Sequence, residues 1–259
     1  MQRSISTAVQ VHVRRLVSSR ILPFAMLFKS ALLLTTTLFS VALAASIPFG
    51  RDAVAYYDPS LNGGRMLDDA TGGQGGSDLG EPMNVIISGL SSPDVLTDSG
   101  FLNYVQSIGF SSECLGLHLG GPQTANLGDG DGWRNQTVEY RQDYGDANLG
   151  TCLESLLGGN HLRMYRQNGP QANSGALFLA VSKEQDLAEK HNIVANGYDV
   201  GRDLLVASAI AGQTSFGGIN YLSTSQNIPG LLPTGASGSS VNHNIALDGV
   251  VVLLTVTIV

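Results

Sequence analysis

Four polar side chains that could bind a ligand or take part in acid–base chemistry lie close together in HNIVANGYDVGRD, residues 191–203. They are His191, Asp199, Arg202 and Asp203. Asp199 is placed to cap the N-terminus of a helix over 199–211, because its carboxylate can accept hydrogen bonds from the free amides of the first turn. Arg202 and Asp203 follow three and four positions later, so the three side chains project from one side of that helix.

Two further candidates, His161 and Arg163, alternate along the predicted strand HLRMYRQ (161–167). Alternation places them on one face, opposite Leu162 and Met164, and we expect their face to be turned outward. Together with the helix start they would form one polar pocket. Helix amides and arginines attract anions, whereas two histidines and an aspartate could instead ligate a metal ion. The spacing matches no His-pair zinc signature and leaves both alternatives open.

A purely structural interpretation stands beside this one: a helix cap with an Asp–Arg ion pair that locks the preceding loop. Under the binding interpretation, the pocket holds a small anionic or phosphorylated ligand. Under hydrolysis, one of the two histidines would act as general acid or base, while Arg163 and Arg202 stabilise an oxyanion. Binding is the preferred function, because the sequence shows no activated nucleophile and no complete metal set. No cofactor is specified.

The elements that must position these residues follow from apolar runs, helical spacing and turn residues. Their order is strand, helix, strand, strand, helix, strand: 83–89, 98–109, 161–167, 176–182, 199–211 and 249–259. This order predicts an α+β domain of the split β-α-β, ferredoxin-like type, in which two helices cover one face of a four-stranded sheet. The last helix would pack on that sheet through Val200, Leu204, Ala207 and Ala211.

Two Gly-rich stretches interrupt this pattern. Residues 111–150 are interpreted as a long insertion and residues 212–240 as a loop. Cys114 lies in the insertion and Cys152 directly after it, and an even pair of cysteines predicts one disulfide that pins the insertion. Asn135 begins the sequence Asn-Gln-Thr, an acceptor site for N-glycosylation.

Weaker motifs lie in the same insertion. DGDGW (129–133) begins like a calcium loop, but Trp133 stands where the third acidic ligand belongs and Tyr140 where the bidentate glutamate belongs. Trp133, Tyr140 and Tyr144 would suit stacking on a sugar, although aromatic residues in a long loop more often anchor it. A small molecule or a carbohydrate is therefore the class of partner considered.

A resemblance to the LssY C-terminal domain family is carried by five blocks in the same order, spread over 83–212: NVIISG, FLNYVQSIGF, NHLRMYRQ, ALFLAVSKE and HNIVANGYDVGRDLLVASAIAG. In that family a strand with a His-x-Arg-like core precedes a block with His-Ile, Asp, Arg-Asp and Leu-Val. The resemblance implies that the recurrent polar positions of the family fall here on His161, Arg163, His191, Asp199, Arg202 and Asp203.

The family is best known as a domain of bacterial membrane proteins, some of which carry lipid-phosphate phosphatase-like parts. This chain departs from that pattern, because a predicted signal peptide takes the place of transmembrane helices and the domain carries the Cys114–Cys152 insertion. A bacterial membrane partner is therefore not expected. The Gly-rich loops and the acidic balance resemble those of secreted fungal proteins.

The N-terminal region predicts export. MLFKSALLLTTTLFSVALAA (26–45) has a single lysine, an apolar run over 31–43 and small residues where a signal peptidase cleaves. The run is shorter than the ~20 apolar residues that a transmembrane helix needs. Residues 1–44 are therefore predicted to be a signal peptide, with Met26 as the preferred start. The residues before Met26 are a long n-region, an upstream start, or part of a mitochondrial presequence.

Composition divides the remaining chain at residue 81. Residues 45–81 are Gly-rich with little apolar surface, which predicts a flexible extension, and residues 82–259 form one domain large enough to bury a core. Residues 1–44 hold five of the 14 basic residues and none of the 21 acidic ones, which leaves a net charge of −12 on the rest. Such a surface repels phosphate backbones, so nucleic acid is not an expected partner.

These observations together predict an extracellular protein with no transmembrane span. One alternative is a lipid anchor at the cell surface, because GASGSS (235–240) and the apolar tail after it roughly imitate an anchor signal. Alternation of threonine with valine and isoleucine in 255–258 favours a strand with one wetter face instead.

Overall fold

A computed structural model describes residues 50–72, 79–117 and 121–259. Its α-helices are α1 Asp98–Ser107, α2 Gly150–Leu157 and α3 Gly197–Ala209. Its strands are β1 Val85–Ile87, β2 Phe110–Ser112, β3 Thr124–Asn126, β4 Trp133–Asn135, β5 Val138–Gln142, β6 Asn160–Arg166, β7 Leu177–Lys183, β8 Gln213–Phe216, β9 Ile219–Pro229 and β10 Val250–Ile258. The predicted signal peptide lies outside the described residues.

Eight of the described strands form one sheet in the order β2-β5-β6-β7-β1-β10-β9-β8. Neighbouring strands are antiparallel except β1 and β10, which are parallel with Ile86 opposite Leu253. Strands β3 and β4 form a separate antiparallel pair. The fold is therefore α+β, as predicted, but the ferredoxin-like arrangement with four strands is not confirmed.

All six predicted elements are present, with bounds that differ by one or two residues from those predicted. The predicted hairpin is formed by β6 and β7, in which His161 lies opposite Ser182. The C-terminal apolar run forms β10, which is hydrogen-bonded to β1 on one side and to β9 on the other. Local apolar patterns thus located the elements that have buried faces.

The two Gly-rich stretches supply the remaining strands of the sheet, which corrects the predictions of an insertion and a loop. Residues 111–150 contribute β5 and most of β2, and residues 212–240 contribute β8 and β9. The prediction of a loop was wrong because β9 is polar and mostly exposed, so its sequence INYLSTSQNIP lacks the apolar alternation of a half-buried strand.

An apolar core lies on each face of the sheet. The first includes Leu162, Met164, Leu179, Val252 and Leu254, packed against residues of α1 and the C-terminal half of α3. The second includes Ile86, Tyr165, Phe178, Val251 and Leu253, packed against Met66 and Tyr198. Because both faces are covered, the central strands have nearly continuous apolar sequences.

Part of the predicted flexible extension packs against the sheet. Met66 belongs to the second core, and Asp68 and Asp69 are fully buried. The backbone amide of Tyr57 donates to Gln167 Oε1 at 2.8 Å. Composition did not reveal this packing, because much of it depends on backbone and polar groups rather than on apolar surface.

Cys114 and Cys152 form a disulfide bond, as predicted, and it joins the turn Cys114–Gly116 to α2. Asn135 is exposed in β4, and its glycosylation stays a prediction. Among the residues that the structure describes, every helix is too short or too polar to cross a membrane.

Candidate functional site

Helix α3 lies across the ends of three strands and positions half of the candidate residues. Asn84, directly before β1, donates from Nδ2 to Tyr198 O at 2.9 Å, and Asn160, the first residue of β6, donates to Gly201 O at 2.8 Å. Arg202 Nη1 donates to the carbonyl oxygen of Val250, the first residue of β10, at 2.9 Å.

The helix begins two residues earlier than predicted, so Asp199 is not its N-cap. Asn196 occupies the cap position in a left-handed conformation and makes no capping bond with its side chain. Asp199 instead accepts a hydrogen bond from the backbone amide of Asp248 at 3.2 Å and lies 3.5 Å from Arg202 Nη1. Its carboxylate therefore connects α3 to the segment before β10.

The face of α3 that packs on the protein also differs from the prediction. The four residues expected to pack are exposed: Val200, Leu204, Ala207 and Ala211. The buried residues recur at helical spacing: Gly197, Tyr198, Gly201, Arg202, Leu205 and Ala209. Apolar spacing was misleading because Gly201 allows close approach: an added Cβ would lie 2.7 Å from Asn160 Oδ1 and from the backbone of Ser182.

Arg202 is the centre of the helix network, which consists of Asp199, Arg202, Asp203 and Asp248. Its Nη1 and Nη2 donate to the two carboxylate oxygens of Asp248 at 2.7 and 2.8 Å, and its Nε donates to Asp203 at 2.8 Å. Burial opposes the charge of Arg202, but these hydrogen bonds outweigh that effect and raise its pKa. The guanidinium is thus already occupied by carboxylates.

His161 and Arg163 share one face of β6, as alternation predicted, but that face is not turned outward. His161 is fully buried, and the side chain of Arg163 is 13% exposed. The chain before β1 covers them: Arg163 Nη1 lies 2.7 Å from Glu81 Oε2, and Tyr165 donates its hydroxyl to Asp68 at 2.9 Å. The prediction was wrong because a strand pattern shows which residues share a face, not what covers it.

The contacts of His161 fix its tautomer. Arg163 Nη1 lies 2.8 Å from His161 Nε2, and because a guanidinium can only donate, Nε2 must accept and the proton must be on Nδ1. Nδ1 lies 3.2 Å from Glu184 Oε1, so the Nδ1–H group donates to this carboxylate oxygen. Burial, with the charges of Arg163 and Arg141, lowers the pKa of His161 well below its ordinary value.

The hydroxyl of Ser182 touches this imidazole, with Oγ 3.2 Å from Nδ1 and 3.4 Å from Nε2. A general base needs a free lone pair directed at the hydroxyl that it deprotonates. The lone pair of His161 is taken up by Arg163 instead. The arrangement therefore does not activate Ser182 as a nucleophile.

Arg141, which the sequence patterns did not indicate, is the centre of a second network. This strand network consists of Glu81, Glu113, Glu139, Arg141, Glu154, His161, Arg163, Glu184 and His191. The guanidinium of Arg141 contacts four carboxylates: Glu139 at 2.7 Å, Glu184 at 3.0 Å, Glu154 at 3.1 Å and Glu113 at 3.4 Å. Glu139 also lies 3.2 Å from Arg163 Nε, so the two arginines share a carboxylate. The alternation of Glu139 and Arg141 was the available signal, but it has meaning only once β5 is placed beside β6.

This network contains more carboxylates than guanidinium groups. Burial raises the pKa of two of these carboxylates. Burial raises the pKa of Glu184 to about 7, since the loss of hydration outweighs the attraction of Arg141. Burial likewise raises the pKa of Glu154, with the same arginine opposing it. His191 joins at the edge, where its Nδ1 lies 3.5 Å from Glu184 Oε2.

The six candidate residues thus divide between two networks instead of forming one pocket. His161, Arg163 and His191 belong to the strand network, whereas Asp199, Arg202 and Asp203 belong to the helix network. The ion pairs described for the two networks have no member in common. Within residues 50–72, 79–117 and 121–259, no group of three or more His, Cys, Asp or Glu side chains is arranged to hold a metal ion.

A cavity with a volume of 430 Å³ lies beside α3. Its lining residues come from the turn between α1 and β2, the end of β5, the start of β6 and one side of α3: Ile108, Gly109, Phe110, Gln142, Asp143, Tyr144, Gly145, Asn160, Leu204 and Ser208. Asn160 is buried, and its Oδ1 has no hydrogen-bond partner. The cavity therefore combines apolar walls with the polar side chains of Gln142, Asn160 and Ser208.

A second cavity, of 310 Å³, is lined in part by Asp129 and Asp131, which begin the weak calcium motif. Asp129 Oδ2 accepts hydrogen bonds from the backbone amides of Asn168 and Gly169 at 3.2 and 2.9 Å. Its Oδ1 accepts from the amide of Asp131 at 3.1 Å. The carboxylate of Asp129 thus holds a turn together.

The chain matches no protein-family model, no curated protein and no solved structure. The resemblance to the LssY C-terminal domain family therefore stays a prediction from short motifs.

Proposed function

We propose that the chain is a binding protein that holds a small, largely apolar, uncharged molecule in the 430 Å³ cavity beside α3. The observation that carries this proposal is the cavity itself, in which apolar walls from Ile108, Phe110 and Leu204 stand beside the polar side chains of Gln142, Asn160 and Ser208.

The size and lining of this cavity are typical of small-molecule sites. Such sites are mostly apolar clefts of roughly 300–1,000 Å³ with a few polar groups that orient the ligand. Tyr144 adds an aromatic side chain to the wall, and its hydroxyl donates to Gly158 O at 2.5 Å, which holds the ring in place. Apolar walls would bind the body of the ligand, and the polar lining side chains would select its orientation.

Charge favours an uncharged ligand over the anionic or phosphorylated ligand suggested by the sequence. Arg141, Arg163 and Arg202 are each held by two or more carboxylates. Asp143 lines the cavity and adds a negative charge to its wall. Hydrolysis has less support than binding, because both nitrogens of His161 are occupied and the ring is buried.

Two fluorescent probes with the same skeleton test this proposal. N-phenyl-1-naphthylamine is uncharged and has one N–H donor, whereas 8-anilinonaphthalene-1-sulfonate carries the same N–H and a negative charge. We expect the uncharged probe to bind at least about 10-fold more tightly. Tighter binding of the sulfonate would instead support the anionic ligand.

Substitutions on α3 test whether the cavity is the site. Leu204→Trp should fill the cavity and weaken probe binding, since Leu204 is a lining residue. Val200→Trp is the matched control: it is an exposed residue one turn earlier on the same helix and does not line this cavity. Equal affinities of the two variants would contradict the proposal.

A further inference from the structure

Helix α2 has its polar side turned to the protein and its apolar side turned to solvent. Gly150, Thr151 and Glu154 are buried. Leu153, Leu156 and Leu157 are exposed by 48 to 58%. With Leu149 directly before the helix, these leucines are spaced i, i+4, i+7 and i+8, which places them on one face. A surface helix of a globular domain normally has the opposite orientation.

The buried side of α2 explains how the helix is held without its leucines. Glu154 Oε2 lies 3.1 Å from Arg141 Nη1 at the centre of the strand network. The disulfide from Cys152 ties the same helix to the turn at Cys114. An ion pair and a covalent bond therefore anchor α2 from the side opposite its leucines.

More leucines surround the helix. The turn Cys114–Gly116 and the short 3-10 helix Leu187–Glu189 both contact α2. Leu115 is 74% exposed and has a left-handed backbone conformation that is unfavourable for a leucine. We define the leucine face as the seven exposed leucines at this end of the molecule: Leu115, Leu117, Leu149, Leu153, Leu156, Leu157 and Leu187.

We infer that the leucine face is a self-association surface, covered by the leucine face of a second copy of this chain in a two-fold symmetric dimer. This inference rests on α2 and does not depend on the proposed ligand of the cavity.

The exposed apolar area matches what a stable dimer needs. The exposed fractions of the seven leucines add up to about four fully exposed leucine side chains. At roughly 100 Å² of apolar surface for each, the face offers about 400 Å². A specific interface buries roughly 800 Å² per partner, a little more than half of it apolar. One leucine face therefore supplies most of the apolar area of one side of such an interface.

The chemistry of the face favours a second copy over a lipid surface. A face made of leucine is complementary to itself, and two-fold symmetry places the same patch on both sides of an interface. The exposed charged side chains nearby in the sequence are mostly carboxylates: Asp146, Asp186 and Glu189, with Lys190 as an exposed cation beside them. The carboxylates would be repelled by anionic lipid headgroups. Between two copies they would remain at the solvated rim, where salt screens their repulsion.

Sedimentation velocity of the purified chain over roughly 1–100 µM tests this inference. We expect a reversible dimer that becomes tighter as NaCl is raised, because screening weakens the repulsion between acidic rims. Leu156→Lys should raise the dimer dissociation constant about 30-fold or more, as expected for a residue at the centre of an interface. Leu61→Lys, which changes a leucine that is 77% exposed and outside the face, should leave it unchanged.

Other results would overturn the inference. A chain that stays monomeric over this range, or a dimer that Leu156→Lys leaves intact, contradicts it. Flotation of the wild-type chain with phosphatidylcholine vesicles, lost in Leu156→Lys, would assign the face to lipid. Hydrogen exchange that shows α2 protected in a monomer would assign it to another segment of the same chain. Probe binding in the cavity should be unchanged in Leu156→Lys, so the two proposals can fail separately.

Discussion

Arg141 Nη1 donates to Glu154 Oε2 at 3.1 Å and thereby joins strand β5 to helix α2. The same nitrogen lies 3.0 Å from Glu184, which directly follows β7. Both carboxylates are nearly inaccessible to solvent. One guanidinium therefore connects β5 with two segments that lie 13 and 43 residues further along the chain.

Removing that guanidinium should destabilise the fold strongly. We expect Arg141→Gln to lower the free energy of unfolding by about 3–5 kcal/mol, because buried carboxylates lose their counter-charge. Urea denaturation measures the change. Arg134→Gln is the control, since Arg134 is 69% exposed and lies 3.5 Å from Asp131. Arg134→Gln should lower the free energy of unfolding by less than about 1 kcal/mol. If Arg141→Gln lowered it by no more than the control does, the network would not stabilise the fold.

The stability of the chain should fall as pH rises through neutrality. Burial raises the pKa of Glu184 from 4.5 to about 7 in the folded chain. The folded state therefore binds this proton more tightly than the unfolded state does. The resulting stabilisation is complete below about pH 4.5 and is lost as pH rises through about 7. Glu184→Gln should flatten this dependence between about pH 4.5 and 7 in urea titrations, and an unchanged slope would contradict the assignment.

His161 should remain neutral in mildly acidic solution. Burial, with Arg163 and Arg141, lowers the pKa of its imidazole well below 6.5. Its contribution to stability is present above pH 6.5 and is lost as pH falls toward the folded-state pKa, which is opposite in sign to that of Glu184. We expect ¹⁵N NMR of the ring at about pH 6 to show a proton on Nδ1 and none on Nε2, with the exposed His243 as an internal reference. A proton on Nε2 would disprove the hydrogen bond from Arg163.

Gly201→Ala should destabilise the chain even though alanine is the better helix former. Intrinsic propensity favours alanine by about 1 kcal/mol. The new Cβ would lie 2.7 Å from Asn160 Oδ1 and from the backbone of Ser182, so α3 must move away from the strand ends. We expect a net loss of about 1–3 kcal/mol in thermal or urea unfolding. Ser208→Ala, at an exposed position of the same helix, should be neutral or slightly stabilising.

Reduction of the disulfide should weaken the fold without changing its helices and strands. Cys114 and Cys152 are 38 residues apart, and a loop of that length contributes about 4 kcal/mol in the chain-entropy model. Urea denaturation with and without dithiothreitol measures this contribution. Thiol titration of the native chain should find no free cysteine, and two reactive thiols would contradict the pairing.

The sequence by itself determined the position of the elements with buried faces. Apolar runs and helical spacing located β1, β6, β7, β10, α1 and α3 to within two residues, because this signal lies in each segment. The cysteine pair followed from its count and from the export signal. Alternation in β6 likewise showed that His161 and Arg163 share a face, since side chains of a strand alternate wherever it lies.

Only the tertiary structure decided how these faces are covered and which charges meet. Glu139 and Arg141 stand opposite Arg163 and His161 because β5 pairs with β6, a contact between segments about 20 residues apart. The chain before β1 buries that face, so charges expected in an open pocket became a closed network. Likewise α2 buries Gly150, Thr151 and Glu154 while its leucines are exposed, and α3 buries Gly201 and Arg202 while Leu204 is exposed. Burial and ion pairing depend on partners distant in the chain, and a local pattern carries no information about those partners.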